Sequence, residues 1–204
     1  MKPRSRGNDH YARRAKKERY PARSVYKLES IDRKTRLIRK RDKVVDLGAS
    51  PGSWTMYASE KVGKDGFVVA IDLNPLTVAT PANVLFLQED VLEIDADLLA
   101  DVLQDDKRVD VVVSDMAPKT SGHRFVDQAR SFNLFMQAVE IADRLLRPGG
   151  RFAGKIFQGE DFEAARGRLR ELFDTVKIIR PDAVRSESYE IYLVGLNRKP
   201  TFDS

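Results

Sequence analysis

The chain has 204 residues, with 36 Lys and Arg, 31 Asp and Glu, two histidines and no cysteine. That length fits one domain with an appendage and a substantial core. A disulfide scaffold and thiolate metal sites are excluded, and His10 and His123 stand far apart without ligand-like spacing, so no metal site is expected. The net charge of +5 is unevenly spread: residues 1–41 hold 16 basic and 4 acidic residues, and the remainder holds 20 and 27. A basic arm (1–41) on a mildly acidic body (42–204) points to a polyanionic partner, nucleic acid ahead of an anionic membrane surface. No apolar run follows the basic N-terminus, and no stretch approaches the roughly 20 apolar residues of a membrane span. A soluble, cytoplasmic protein is expected, although an Arg-rich start also resembles an organellar transit peptide.

Residues 1–22 are basic and poor in aliphatics, and read as a solvated tail frayed over its first eight residues. Val25, Leu28, Ile31 and Leu37 then fall near helical spacing, which predicts a short amphipathic helix against the body. From residue 43 strands and helices alternate. Strands are expected at 43–47, 66–73, 84–88, 109–116 and 151–158, and helices at 53–62, near 95–104, at 127–146 and at 160–173. The run "VDVVVSDM" is almost continuously apolar, as a strand buried on both faces should be. "RPGG" at 147–150 ends the long helix. Two last strands, in "TVKIIRP" and "SYEIYLVGLNRK", have no helix between them and should pair as an antiparallel hairpin at one edge. The pattern is that of an α/β fold: a mostly parallel, doubly wound sheet with helices on both faces.

In such sheets ligands sit at the carboxyl ends of the strands. The first strand runs into "VVDLGASPGSW". Its glycines, Gly48 and Gly52, are spaced G-x-x-x-G, whereas a dinucleotide fingerprint needs G-x-G-x-x-G. The turn carries no Lys or Arg, and an acid, Asp46, precedes it. Asp72 ends the second strand, Asp90 follows the third and Asp115 the fourth. Four acids and no phosphate cradle favour a nucleoside ligand with a cationic group, and S-adenosylmethionine is such a ligand. Asp72 would hold its ribose, Asp90 its adenine amino group and the turn its amino-acid tail, with Trp54 near the cofactor. Two further residues call for a functional reason. Lys155 lies inside the apolar strand "RFAGKIFQ", where a lysine is expensive to bury, and Asp115 closes a run of valines. An acid and a lysine beside a methyl donor point to the handling of a hydroxyl nucleophile.

These motifs, "VVDLGASPGSW", "SDMAP" and "GKIFQGE", closely resemble those of the FtsJ/RrmJ-type ribose 2′-O-methyltransferases. "RSVYKLESID" and "RSESYEIYLVG" look like that family's flanking motifs, so the resemblance runs from about residue 10 to residue 199. It implies a Rossmann-like class I S-adenosylmethionine-dependent methyltransferase fold. It also implies a Lys-Asp-Lys-Glu catalytic set at Lys27, Asp115, Lys155 and Glu190, with cofactor contacts at Gly52, Trp54, Asp72, Asp90 and Asp115. Asp46 and Gly48 join the cofactor set from the reading of the turn. Glu190 fits both the motif and the strand alternation, and Glu187 belongs to the preceding loop. Ser53 departs from the pattern, standing where many members have a second glycine.

Lys155 acts either as the base or, protonated, as the group that orients the hydroxyl while Asp115 accepts the proton; the residues leave both open. The substrate implied is RNA, since the chemistry needs a 2′-hydroxyl. By resemblance it is a uridine of large-subunit ribosomal RNA, in the A-loop of the assembled subunit, with the protein acting as a monomer. Relatives that modify transfer-RNA anticodon loops or messenger caps share the catalytic set. Residues 1–41 would contact phosphates, and Tyr11, Tyr20 and Tyr26 would stack bases. A nicotinamide-dependent oxidoreductase is disfavoured by the missing fingerprint. A non-catalytic ribosome-assembly factor is disfavoured by the intact set.

Overall fold

A computed structural model describes residues 6–94, 99, 101–103, 108–184 and 188–200, with side chains from residue 10 onward. Seven strands form one sheet: β1 (Lys43–Leu47), β2 (Phe67–Ile71), β3 (Val84–Leu87), β4 (Val109–Ser114), β5 (Leu146–Phe157), β6 (Phe173–Ile179) and β7 (Glu190–Arg198). Their order is β3-β2-β1-β4-β5-β7-β6. The first five run parallel, and β7 is antiparallel to both β5 and β6. The expected hairpin is therefore present at the edge, with its second strand inserted between β5 and the first. Five helices are described: α1 (Arg6–Lys17), α2 (Val25–Thr35), α3 (Ser53–Val62), α4 (Arg124–Leu145) and α5 (Phe162–Leu172). Most of the helix expected near 95–104 lies outside the described residues, as does Glu187. Among the described residues no helix is long and apolar enough to cross a membrane.

Strand side chains alternate between the two faces of the sheet. Val45, Leu47, Val69, Val112, Phe152 and Leu193 pack with Phe135, Val139 and Leu169 of α4 and α5. Val44, Val68, Val111, Val113, Ala153 and Val194 pack with Leu28 and Ile31 of α2 and with Trp54 and Tyr57 of α3. Two covered faces explain why these strands read as unbroken apolar runs. The "RPGG" segment falls within β5 rather than before it: α4 stops at Leu145, and β5 starts at once with a register shift between Val109 and Val111.

Residues 6–17 of the basic stretch form a helix rather than a tail, and residues 1–5 lie outside the described residues. α1 docks through Ala15, which is buried, and through Tyr11, whose ring lies 5.4 Å from that of Tyr26. Arg14 lies 4.3 Å over the Tyr26 ring and pairs with Glu18 and Glu29. A helix held by rings and ion pairs leaves no aliphatic stripe to be read. The same packing corrects the expectation of base stacking for Tyr26, whereas Tyr11 and Tyr20 are half-buried. Tyr26 is buried and donates its hydroxyl to Glu18, and Tyr20 donates to Glu60 at 2.6 Å.

Ser53, the departure from the family pattern, ties this region down. Its Oγ accepts a hydrogen bond from the Ala22 amide at 2.8 Å and donates to the Ala22 carbonyl at 3.1 Å. Trp54 Nε1 donates to the Ser24 carbonyl at 2.8 Å, immediately before α2. Ser53→Gly is expected to cost about 1–2 kcal/mol by removing two hydrogen bonds. It should also speed tryptic cleavage at Arg19 and Arg23. Urea unfolding and limited proteolysis check this; an unchanged midpoint and cleavage rate would show that the tie contributes nothing.

Candidate active site

The order of strands reverses between β1 and β4, and the crevice at their carboxyl ends is where an open sheet holds a ligand. A cavity of about 680 Å³ lies there. Its wall comes from Gly48 and Ser50 after β1, Asp72, Leu73 and Asn74 after β2, Asp90, Val91 and Leu92 after β3, Asp115–Lys119 after β4, and Arg130, Asn133 and Leu134 on α4.

The glycine turn is closed on itself. Gly48 has φ +77°, and a Cβ there would lie 2.6 Å from Met116 Cγ. Gly52 has φ +111°, and a Cβ there would lie 2.7 Å from Val78. Positive φ and close approach together account for both glycines. The amides of Gly48 and Ala49 donate to the Ile71 carbonyl, Gly52 N donates to Ala49 O, and Ser50 N donates to Asp72 Oδ2 at 3.0 Å. These amides are engaged internally, unlike those of a phosphate cradle, which point at the ligand. Asp72 Oδ1 accepts from the Asn74 amide at 2.7 Å, and Asp90 Oδ1 from the Leu92 amide at 2.9 Å. Both carboxylates are thus held at the cavity wall with acceptor capacity left for hydroxyl or amino donors.

The four expected catalytic residues meet beside this cavity. Lys155 Nζ lies 3.0 Å from Asp115 Oδ1 and donates to the Asp115 carbonyl at 2.5 Å. Lys27 Nζ lies 2.6 Å from Glu190 Oε1 and 3.9 Å from Asp115 Oδ1. Strand register brings them together. Lys155 pairs with Tyr192, and Phe157 with Glu190, across β5 and β7. Residues 190 and 192 share one sheet face, as do 111, 113 and 115 when the alternation of β4 is carried one residue past its end. That is the face covered by α2, which supplies Lys27.

Sequence reasoning missed Tyr192. It is fully buried, its ring lies 5.8 Å from that of Trp54, and its hydroxyl donates to Asp115 Oδ1 at 2.5 Å. Its place opposite Lys155 depends on hairpin register, which no local motif reveals. Burial opposes the charge of Asp115, but Lys155, Lys27 and the Tyr192 hydroxyl outweigh it and hold the carboxyl below its ordinary range. Burial pushes the Tyr192 phenol well above its ordinary value, and the charges of Asp115 and Glu190 push it further, so it stays a neutral donor.

Three of the expected cofactor residues do not line the cavity. Trp54 is 3% exposed and lies under the site, bonded to Ser24. Gly52 caps α3 behind the turn. The carboxylate of Asp46 does not reach a ligand from within the strand, as the sequence reading had it. Its parity turns it under α3, where Oδ2 accepts from Thr55 Oγ1 at 2.7 Å and Oδ1 is buried without a partner. Burial raises its pKa to about 7; Thr55 opposes this, and the charges of Asp115 and Asp72 add to it.

The sheet order, the closed glycine turn and the cavity at the switch point define a Rossmann-like methyltransferase. Aeropyrum pernix fibrillarin, solved with natively bound S-adenosyl-L-methionine, shares this fold at a TM-score of 0.58, 14% identity and coverage of 78% of this chain and 68% of that one. The sequence matches the family model of FtsJ-like methyltransferases over residues 20–198, and the chain belongs to that family. It is 51% identical to the Ribosomal RNA large subunit methyltransferase E of Sorangium cellulosum over 191 residues, 94% of this chain and 88% of that protein. The crystal structure of a Plasmodium falciparum protein described as a ribosomal RNA methyltransferase has a TM-score of 0.78 at 25% identity, covering 89% of this chain and all of that one. S-adenosylmethionine is the methyl donor, and the cavity fits it: its volume lies within the range of ligand pockets, Asp72 and Asp90 keep acceptor capacity at its wall, and the turn amides are bonded internally rather than aimed at a phosphate.

Two outcomes are expected here. Between about pH 4 and 7 folded Asp46 binds more protons than its unfolded counterpart, so the wild type loses stability as pH rises through that window. Asp46→Asn removes this slope. Its stability relative to wild type should therefore rise by about 2–3 kcal/mol from pH 5 to pH 8 in denaturant unfolding without ligand; a constant difference would refute the shift. Tyr192→Phe keeps the ring but withdraws a hydrogen bond from a charged acceptor, so kcat should fall about tenfold with cofactor affinity unchanged. Equal kcat would show that the phenol does not act through Asp115.

Proposed function

We propose that this protein transfers the methyl group of S-adenosylmethionine to the ribose 2′-hydroxyl of a uridine in large-subunit ribosomal RNA, in the A-loop of the assembled subunit, acting as a cytoplasmic monomer. The observation that carries this reading is the Lys155–Asp115 pair, flanked by Lys27–Glu190, at the rim of the cavity. Its support on the substrate side is the 51% identical relative and the basic first 41 residues.

Bound in the cavity, the cofactor supplies an electrophilic methyl group on a cationic sulfonium. Asp72 and Asp90 would hold its nucleoside by its hydrogen-bond donors. Lys155 and Asp115 would orient the 2′-hydroxyl, which aligns the displacement. As the new C–O bond forms, the hydroxyl oxygen gains positive charge and its proton becomes strongly acidic. A carboxylate held below its ordinary pKa is then an adequate acceptor, and Asp115 takes the proton while Lys155, bonded to Asp115, keeps that carboxylate aimed at the ribose hydroxyl. Lys27 holds Glu190 and adds a second positive charge beside Asp115, which keeps that acceptor ionised before reaction.

Labelled S-adenosylmethionine incubated with large subunits, free ribosomal RNA and transfer RNA tests this. Label should appear as 2′-O-methyluridine in large-subunit RNA. In Lys155→Ala it should fall by about 10²–10⁴-fold with cofactor binding retained. RNA affinity should fall with salt at a log–log slope of about −0.7 to −0.9 per phosphate neutralised. Label on transfer RNA alone would overturn the substrate, and turnover retained in Lys155→Ala would overturn the mechanism.

A further inference from the structure

Beyond the four catalytic side chains, the rim continues into a second cluster where the end of β5, the start of β7 and the first turn of α4 meet. Phe125, on that first turn, is 67% exposed, the highest of the large exposed apolar side chains among the described residues, and Val126 beside it is 39% exposed. Leu73 and Leu92, the next most exposed, line the cofactor cavity; Phe125 does not. Arg124 holds its guanidinium 5.3 Å over the ring of Tyr189. Tyr189 stands edge-on to Phe157 at 4.8 Å and immediately precedes Glu190, whose partner across the strands is Phe157 itself. The cluster thus abuts the catalytic group through covalent neighbours and register.

The cluster is rigidly built. Gln158 N donates to the Tyr189 carbonyl at 2.9 Å, and Gln128 bonds the Gln158 carbonyl. Ser121 donates through both its amide and its hydroxyl to Asp127 Oδ1, at 2.8 and 2.9 Å, which fastens the loop after β4 onto the first turn of α4. The same helix, a little further along, presents Arg130, Asn133 and Leu134 to the cofactor cavity.

An exposed aromatic ring next in sequence to an arginine that faces a second ring, on a helix and loop that also carry Arg130 and Lys119, is poorly suited to a purely apolar protein partner. It suits a single-stranded nucleic acid. Every base offers a π face for stacking, arginine adds a cation–π contribution, and positive charge meets the adjoining phosphates. We propose that Arg124, Phe125 and Tyr189 form a nucleobase subsite that stacks a base next to the nucleotide being methylated. The proposal rests on the RNA-methylation reading above. It adds RNA contact from the start of β7 and the first turn of α4 to the contact expected from the basic arm.

The test uses the full chain with large subunits, and with a short single-stranded RNA carrying 2-aminopurine beside the acceptor uridine. Phe125→Ala, at an exposed position that should not affect folding, is expected to raise the KM for RNA about five- to tenfold, leave kcat within about twofold, and abolish the probe's fluorescence quenching. Its cofactor affinity should not change. Tyr189→Ala should behave likewise, whereas Tyr189→Phe, which keeps the ring, should match wild type. If wild type methylates RNA and Phe125→Ala leaves both KM and quenching unchanged, the subsite is wrong and the function stands. If KM rises only on assembled subunits while the quenching of the short RNA is unchanged, the surface meets a ribosomal protein and the subsite is likewise overturned. Quenching without methylation of any RNA would retain the subsite and overturn the proposed reaction. Neither quenching nor methylation in wild type would overturn both.

Discussion

The site depends on keeping one carboxylate, Asp115, charged in a place that burial disfavours. Its Oδ1 accepts from Lys155 and from the Tyr192 phenol, with Lys27 3.9 Å away. Removing a charge from water costs several kcal/mol unless partners are close and well aimed. The same rule applies to Lys155, 6% exposed in the middle of an apolar strand. Each of the pair makes the other tolerable. Together they require that the end of β4 lie beside β5, that β7 lie beside β5 in the register that puts Tyr192 opposite Lys155, and that α2 cover this face. The fold is the arrangement in which those requirements are met at once.

The basic arm shows how charge and packing divide the chain differently. Composition changes near residue 41, yet Tyr26, Leu28 and Ile31 belong to the same core cluster as Val44 and Tyr192. Much of the arm's positive charge is therefore displayed from helices fixed to the body. The anchor is Ser53 with Trp54, at the first turn of the helix that follows the glycine turn. A shift in how residues 20–24 are held would be felt one helix turn from Lys27 and directly under the cofactor turn.

Most of the fold was legible because strands buried on both faces leave apolar runs, and helices between them leave a different period. The acids after each strand located the crevice, and Lys155 announced itself by the expense of burying it. Other features left no such mark. α1 is held by Tyr11, Arg14 and glutamates, which look like any solvated polar stretch. Asp46 carried the right residue type in the right place, but strand parity turned it beneath α3. Tyr192 was indistinguishable from a core aromatic until the pairing of β7 with β5 was known. The register that makes it functional is a long-range property, set by a bond between residues far apart in sequence.

β7 enters the sheet between β5 and β6, although it is the last strand of the sheet to leave the ribosome during synthesis. Until it arrives, β6 has no neighbour to join, and α5 has only part of the surface it will finally cover. Glu190 and Tyr192 both ride on this strand, so Asp115 and Lys155 stay incomplete until this last strand is made. A chain interrupted before residue 190 lacks both the Tyr192 phenol on Asp115 and the Glu190 partner of Lys27. Order of emergence thus makes the complete catalytic set a property of the finished sheet.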